Sequence, residues 1–336
     1  MGNANSAASA TQPSPKPPSG GQSVTNMPPA PPMTAPSPPV ESKADTPVEE
    51  VRKNPGSYED IHKKCRDLMP TPYEGFKLVV NKGLSNHFQI SHTLNLSATM
   101  PSSYHFGATY VGTKQISPAE AYPVILGDID NSGSLSAQII HQFLPNLKSK
   151  LVVQTQKSQF SMIQADSEYR GKDFTSTLTL GNIDVINESG IVIAHYLQKL
   201  MPRLDIGAEL LYHYGAGQEA AALSLSGRYT ADNWVAGGTL GQSGWHTSYY
   251  HKGNENVQVG VEYEYNSRAQ EGCVSLGYQV DLPKANFTFR GLVDTNWTVA
   301  GFFEKKLPPL PFTFVLSGMI NHQKNTSRFG FGLLIG

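Results

Sequence analysis

The sequence contains few cysteines, no long apolar run and no excess of charge of either sign. Two cysteines, Cys65 and Cys273, among 336 residues are too few for a disulfide scaffold or a four-thiolate zinc site, and they indicate a reducing, intracellular environment. The net charge of −1 shows no excess of basic residues that would bind nucleic acid, so no nucleic acid is expected as a partner. The chain lacks a run of about 18 uncharged apolar residues, which argues against a transmembrane helix.

Sequence patterns for enzymatic catalysis are absent as well. There is no GxSxG nucleophile motif and no HExxH motif, and the ten histidines are dispersed without a spacing that suits zinc. The stretch DIDNSG from Asp128 imitates the start of an EF-hand loop, but Ile139 occupies the twelfth position, where a bidentate Glu is needed. We therefore expect no enzyme, no catalytic residue, no metal and no cofactor.

Residues 1–55 differ in composition from the rest of the chain. They hold 13 of the 24 prolines but only 3 of the 31 glycines, and they contain no aromatic residue. Such a segment cannot form a core, so we predict a disordered, Pro-rich arm that serves as a tether, a docking surface or an inert tail. Gly2 and Ser6 fit the minimal N-myristoylation pattern, and no cleaved targeting peptide is expected.

Residues 56–70, GSYEDIHKKCRDLMP, carry the pattern of a short amphipathic helix. Ser57 and Asp60 have the spacing of a capping box, and Pro70 ends the segment. Three residues fall on one helical face: Ile61, Cys65 and Leu68. The opposite face carries Lys63, Lys64 and Arg66, which we expect to be solvated. The pattern predicts one helix from Tyr58 to Met69.

From residue 71 to 336 the sequence alternates apolar and polar residues in segments of about ten, separated by Gly, Asn, Asp or Pro. Clear examples are FTSTLTLGN from Phe174 and LDIGAELLYHY from Leu204, with turn signals such as NSG from Asn131. Counting these segments gives about nineteen strands without a second helix. A single closed meander is the architecture that suits so many short, regularly spaced strands, since closure removes the exposed edges.

The two faces of these strands differ in charge. In NVQVGVEYEYN, residues 256–266, the odd positions from Val257 to Tyr265 are apolar, while Gln258, Gly260, Glu262 and Glu264 alternate with them. Across the chain the apolar face is almost free of charge, which a bilayer enforces because a midplane Arg or Lys costs about 2–4 kcal/mol. A soluble sheet would need a second layer over this face, and the sequence offers none. We predict a transmembrane β-barrel.

The polar face is expected to line a water-filled lumen. It carries ten predicted acids: Asp128, Asp130, Asp166, Glu168, Asp205, Glu209, Glu262, Glu264, Asp281 and Asp294. Against them we assign four bases: Lys150, Arg170, Arg228 and Arg290. The count predicts a net negative lumen that favours cations or basic peptides.

Two stretches resemble a known family. The first, NPGSYEDIHKKCRDLMPTPYEGFKLVVNKGLSNHFQISHTL from Asn54, is similar to the helix-to-first-strand entry of the pore-forming subunits of the translocase of the outer mitochondrial membrane, the TOM channels of the mitochondrial porin superfamily. The second, RFGFGLLIG, has the polar-x-Gly-x-x-apolar-x-apolar pattern of the mitochondrial barrel sorting signal. Its pattern residues are Arg328, Gly330, Leu333 and Ile335. The resemblance covers residues 54–336.

The resemblance implies a nineteen-stranded barrel with parallel first and last strands and a lumenal helix, located in the mitochondrial outer membrane. It also implies passive passage of unfolded precursor proteins with basic presequences. The implied partners are those precursors, the receptor and small single-helix subunits of the complex, a second copy of the channel, and outer-membrane lipid. Two alternatives remain open at this point: a metabolite channel of the voltage-dependent anion channel type and a soluble β-rich binding module.

Overall fold

The fold is a closed barrel of nineteen strands, each hydrogen-bonded to the next in sequence. The computed structural model describes residues 54–99, 101–117, 120–157, 159–184, 188–215 and 217–336. The strands are β1 Gly75–Ser85, β2 Phe88–Leu96, β3 Ser103–Ser117, β4 Glu120–Asp130, β5 Leu135–Leu144, β6 Leu147–Gln156, β7 Gln159–Arg170, β8 Phe174–Asp184, β9 Ser189–Met201, β10 Leu204–Gly215, β11 Gln218–Thr230, β12 Trp234–Gly241, β13 Gly244–Lys252, β14 Val257–Asn266, β15 Glu271–Leu282, β16 Phe287–Asp294, β17 Thr298–Leu307, β18 Phe312–Asn321 and β19 Thr326–Ile335. The predicted strand number and closed meander are confirmed.

The closing seam joins the first and last strands. All sequential neighbours are antiparallel, whereas β1 and β19 pair in parallel, from Gly75 with Gly330 to Val80 with Ile335. This follows from the strand count, because an odd number of alternating strands leaves the first and the last pointing in the same direction. The parallel seam predicted from the family resemblance is therefore confirmed.

The segment before β1 is helical but broken. A 3-10 turn at Tyr58–Asp60 is followed by α1, the single α-helical turn Lys63–Arg66, in place of one continuous helix. Ser57 is at the N-cap position but forms no side-chain capping hydrogen bond, so the predicted capping box is not formed. The predicted apolar face is correct, since Ile61, Cys65 and Leu68 are only 3%, 2% and 2% exposed. A further 3-10 turn, Pro283–Ala285, connects β15 to β16.

The outward face of the barrel is apolar and exposed. Side chains alternate across each strand, so Val257, Val259 and Val261 of β14 lie on the face opposite Gly260 and Glu262. On the neighbouring strand β13 the same face carries Trp245 and Tyr249, both more than two-fifths exposed. Large apolar side chains in this position need a non-aqueous environment, and closure leaves lipid as the solvent that suits them.

The Pro-rich arm predicted over residues 1–55 lies outside the described residues, apart from its last two positions. Among the residues that the structure describes, none of the helical segments has the length and apolarity that crossing a membrane requires.

Candidate functional site: the inner wall of the barrel

Contacts made by the N-terminal segment, residues 54–73, identify the inner wall. Cys65 and Leu68 lie against Gly260 of β14, where an added Cβ would be 2.8 Å from Cys65 Sγ and 2.9 Å from Leu68 Cδ1. Gly260 shares its face with Glu262 and Glu264, so both carboxylates point inward. Register relations around the barrel extend this assignment to every strand.

The N-terminal segment begins on the wall formed by β7 to β11. Asn54 Nδ2 donates a hydrogen bond of 2.8 Å to the Gly171 carbonyl. The Arg228 guanidinium donates to the Pro55 carbonyl. Tyr58 forms a hydrogen bond of 2.6 Å with Ser226 Oγ, and its ring stacks on His195 with centroids 4.6 Å apart. These contacts fix the start of the segment across several strands.

His62 anchors the middle of the segment on β12 and β13. Its Nδ1 and Nε2 atoms form hydrogen bonds of 2.7 Å with Ser248 Oγ and 2.9 Å with Thr239 Oγ1. Its ring also lies 4.0 Å from that of His246, centroid to centroid. Burial, with smaller contributions from His246 and Arg66, lowers the pKa of His62 to about 3, so the ring is neutral near pH 7.

A line of small wall positions makes room for the segment. An added Cβ would lie 3.1 Å from Tyr58 at Gly207, 3.2 Å from Ile61 at Gly237, and 2.5 Å from Met69 Sδ at Gly277. With Gly260, these four glycines form what we call the glycine track. Any side chain there would occupy volume that the segment fills, so the track determines how closely the segment approaches the wall. Sequence analysis did not identify it, because the four positions lie on separate strands.

Tyr73 ends the segment at the closing seam. Its amide donates a hydrogen bond of 3.0 Å to Ser317 Oγ, and its ring lies over Gly330 and Gly332 of β19. Burial raises the pKa of Tyr73 to about 12, so the phenol stays protonated. The segment thus crosses much of the inner circumference before β1 begins.

The register places all ten predicted acids on the inner wall. Glu209 of β10 is opposite His195 of β9, whose ring contacts Tyr58 inside the barrel. Asp166 of β7 is opposite Lys150 of β6 and Thr179 of β8. Along β4, Asp128 and Asp130 share the inward face through their pairing with Gly107 and His105. The role of these acids in guiding a translocating chain stays a prediction.

The number of bases on this wall was underestimated. The register adds seven to the four that were predicted: Lys77, Lys114, Lys148, Lys199, Lys252, Lys306 and Arg328. It also adds three acids to the ten: Glu120, Glu271 and Glu304. Acids and bases are thus similar in number, and the charge of the wall as a whole is not strongly negative. Any preference for cations must come from local groups of acids.

Most of the ten acids already have partners. Asp205 Oδ2 forms an ion pair with Arg228 Nη2 at 2.7 Å, and Glu209 Oε2 lies 2.9 Å from His195 Nε2. Further partners are Arg170 for Glu168, His105 for Asp128, Gln164 for Asp166 and Thr288 for Asp281. Such carboxylates stabilise the wall and have less capacity left for a passing cation.

Two of the acids are turn residues. Asp130 Oδ1 accepts hydrogen bonds from the Ser132 and Ser134 amides at 2.8 and 2.9 Å, and Asp294 Oδ1 accepts one from the Thr298 amide at 2.8 Å. The DIDNSG stretch therefore closes the β4–β5 hairpin, and the Asp130 carboxylate accepts the backbone hydrogen bonds of that turn.

Glu262 and Glu264 form a different arrangement with His246. β13 and β14 place His246 opposite Glu264, and Glu262 is two residues away on the same face. His246 Nε2 lies 3.9 Å from Glu262 Oε1 and 3.7 Å from Glu264 Oε1, too far for hydrogen bonds. Glu264 is 68% exposed and Glu262 13%. Their contacts with His246 are longer than the contacts that hold Asp205 and Glu209.

The predicted barrel sorting signal forms the end of β19. Arg328 and Gly330 point inward, whereas Leu333 and Ile335 lie on the outward face, since the spacing changes from even to odd positions. The signal residues therefore belong to a strand at the seam whose inner face is small and polar and whose outer face is apolar.

The chain is similar to proteins of one family over most of its length. Residues 54–330 match the model of the eukaryotic porin family. The chain is 56% identical to the mitochondrial import receptor subunit TOM40 homolog of Xenopus tropicalis over 89% of this chain and 90% of that protein. Identity to the human protein of that name is 58%, over 84% and 78% of the two chains. Identity to human mitochondrial import receptor subunit TOM40B is 50%, over 86% and 94%.

Proposed function

The chain belongs to the eukaryotic porin family and, within it, to the TOM40 group of mitochondrial import receptor subunits, and we propose that it is the protein-conducting channel of the mitochondrial outer membrane. Unfolded precursor proteins with basic presequences pass through the barrel, and direction is supplied by other components. The observation that carries this proposal is the combination of a closed barrel with relatives of that name at 56–58% identity. The metabolite-channel and soluble-module alternatives are not favoured.

Weak, successive contacts with wall acids suit the passage of a cationic chain. The exposed carboxylate of Glu264 and the adjacent Glu262 are the best candidates, because their contacts with His246, 3.7 and 3.9 Å, are longer than those that hold Asp205 and Glu209, 2.7 and 2.9 Å. A contact that is strong in one place would trap the chain, whereas several weak ones guide it. The paired acids attract a passing cation more weakly, because the bases beside them offset their negative charge.

The proposed partners are those of an import complex. They comprise precursors with cationic presequences, the receptor and small single-helix subunits, a second copy of the channel, and outer-membrane lipid. The apolar outward face supplies the surface for lipid and for membrane-embedded helices.

The test compares peptide block of the channel in planar bilayers. The double variant Glu262→Gln/Glu264→Gln should weaken block by a basic presequence peptide and lower its salt dependence. The control is Glu188→Gln/Glu255→Gln, which removes the same charge from exposed hairpin positions and should leave block unchanged. Equal block in all three channels would remove these two acids from the path. A wild-type channel that prefers anions and ignores the peptide would contradict the proposed function itself.

A further inference from the structure

His246, Glu262 and Glu264 bring three metal-ligating groups together on the inner wall. One ligand atom from each lies within 4.8 Å of the other two. They come from two adjacent strands, and the antiparallel register holds them on one face. Imidazole nitrogen and carboxylate oxygen are the donors that divalent first-row metals use in proteins.

Two of these donor atoms are buried without a partner. His246 Nε2 and Glu262 Oε1 have no hydrogen-bond partner within the described part of the chain, and both are shielded from solvent. Leaving a buried polar atom unpaired is unfavourable, because the atom has lost its hydrogen bond to water and gains none in the protein. A cation placed between them would satisfy both atoms at once, which neither could do for the other at 3.9 Å.

The spacing is close to that required around a metal ion. Bonds of about 2.1 Å place neighbouring donors of a tetrahedral zinc ion about 3.4 Å apart. The two distances from His246 Nε2, 3.9 and 3.7 Å, exceed this by a few tenths of an ångström. All three donor atoms lie within 4.8 Å of one another, so rotations of the glutamate side chains are needed to close the site around an ion. Glu264, being exposed, leaves an entry path from the lumen and room for water at the fourth position.

Neighbouring side chains orient the histidine and limit the charge. The ring of His62 packs on His246, but its two nitrogens are engaged by Ser248 and Thr239, so His62 is a positioning residue and not a ligand. Arg66 of α1 adds positive charge near the same groups. Two carboxylates more than offset it, and a neutral imidazole adds no charge.

We infer that His246, Glu262 and Glu264 form a divalent-metal site of the zinc class on the inner wall, next to the N-terminal segment. Metal binding neutralises the two proposed presequence contacts and rigidifies the wall that holds His62. Binding itself does not depend on the proposed function, whereas its effect on peptide block does.

The experiment is zinc titration of the full-length barrel, refolded in detergent micelles without a polyhistidine tag and stripped with a chelator. Residues 1–53 contain no His or Cys, so the arm supplies no competing imidazole or thiolate. Calorimetry should show one Zn²⁺ per barrel, and Co²⁺ should give the visible d–d absorption of a low-coordinate ion. His246→Asn and Glu264→Gln should each lower the affinity at least tenfold. His213→Asn, another inner-wall histidine, should leave it unchanged.

Two outcomes overturn the inference. They are a barrel that takes up no stoichiometric Zn²⁺, and an affinity that is the same in wild type, His246→Asn and Glu264→Gln. Glu264→Gln guards against misfolding as a cause, because the exposed side chain does not support packing; near-UV circular dichroism verifies the fold of each variant. If zinc binds but peptide block is unchanged, the metal site is supported and the assignment of Glu262 and Glu264 to the precursor path is contradicted.

Discussion

Cys65 lies directly over Gly260, with its Sγ atom 2.8 Å from the point that a Cβ on residue 260 would occupy. The thiol is 2% exposed and is directed at the Tyr249 and Val261 carbonyls, 3.7 and 3.5 Å away. A glycine on one strand therefore determines how the N-terminal segment packs against the wall. The same two residues provide a way to measure that packing.

Gly260→Ala should loosen the N-terminal segment. The added methyl group overlaps Cys65 and Leu68, and overpacking of this kind costs about 1–3 kcal/mol, which increases the open population by about fivefold to 150-fold. The measurement is the rate at which a small thiol reagent modifies Cys65 in a Cys273→Ser background. Gly238→Ala, where the nearest atom lies at 3.7 Å, is the control and should leave the rate unchanged. Equal rates in the two variants would argue against the glycine track.

Cys65 should be almost unreactive in the folded barrel. Burial, with a smaller contribution from Glu262, raises the pKa of its thiol to about 12. Because the thiolate is the reactive form, only about one in ten thousand thiols is ionised at pH 8. Alkylation should rise tenfold per pH unit from pH 7 to 9 without a plateau, provided the barrel stays folded. Comparing single-cysteine variants, Cys273, which is partly exposed, should react at least about a hundredfold faster; a Cys65 rate that levels off below pH 9 would contradict this prediction.

Removal of Arg228 should destabilise the barrel. Asp205 and Arg228 are 5% and 14% exposed and lie 2.7 Å apart. Arg228→Met leaves the carboxylate buried without its cation, at a cost of about 3–5 kcal/mol, and also removes the donor to the Pro55 carbonyl. Chemical unfolding in detergent or lipid measures the change. The double variant Asp205→Asn/Arg228→Met should recover a large part of the loss, and strictly additive effects would show that the pair is not coupled.

A lysine on the outward face of β14 should impair membrane insertion. Val261 lies on the apolar face between Tyr249 and Leu276, so Val261→Lys should cost about 2–4 kcal/mol if it lies near the bilayer midplane. Folding yield into liposomes, followed by protease protection, measures the effect. Gln258→Lys places the same charge on the inner wall of the same strand and should insert like the wild type. Similar yields for the two variants would contradict the assignment of faces.

Alternation in the sequence was enough to predict the strands and the side of the wall for each acid. The prediction succeeded because odd and even positions of a strand face opposite sides, as they do from Val257 to Tyr265. It failed for bases near strand ends, such as Lys252 and Lys306, where few alternating residues precede the turn. Two of the β-bulges, at Gly83/Ser85 and Val111/Lys114, shift the register, and the alternation of apolar and polar residues does not predict such shifts.

Features that join distant parts of the chain could not be predicted. The helix from Tyr58 to Met69 is interrupted at His62, whose φ is −101° and ψ 0°, and both ring nitrogens of this residue form hydrogen bonds with the wall, one as donor and one as acceptor. These tertiary contacts override the local helical pattern. His246 and Glu264 are 18 positions apart, and only the β13–β14 register brings them together.

The parallel seam also constrains the order of assembly. β1 has two partners, β2 and β19, and the second is the last strand of the chain. Until β19 arrives, an incomplete barrel presents two unpaired edges, which would bind one another or a neighbouring chain. The barrel therefore closes without aggregation only if both edges stay shielded until the last strand has paired with the first.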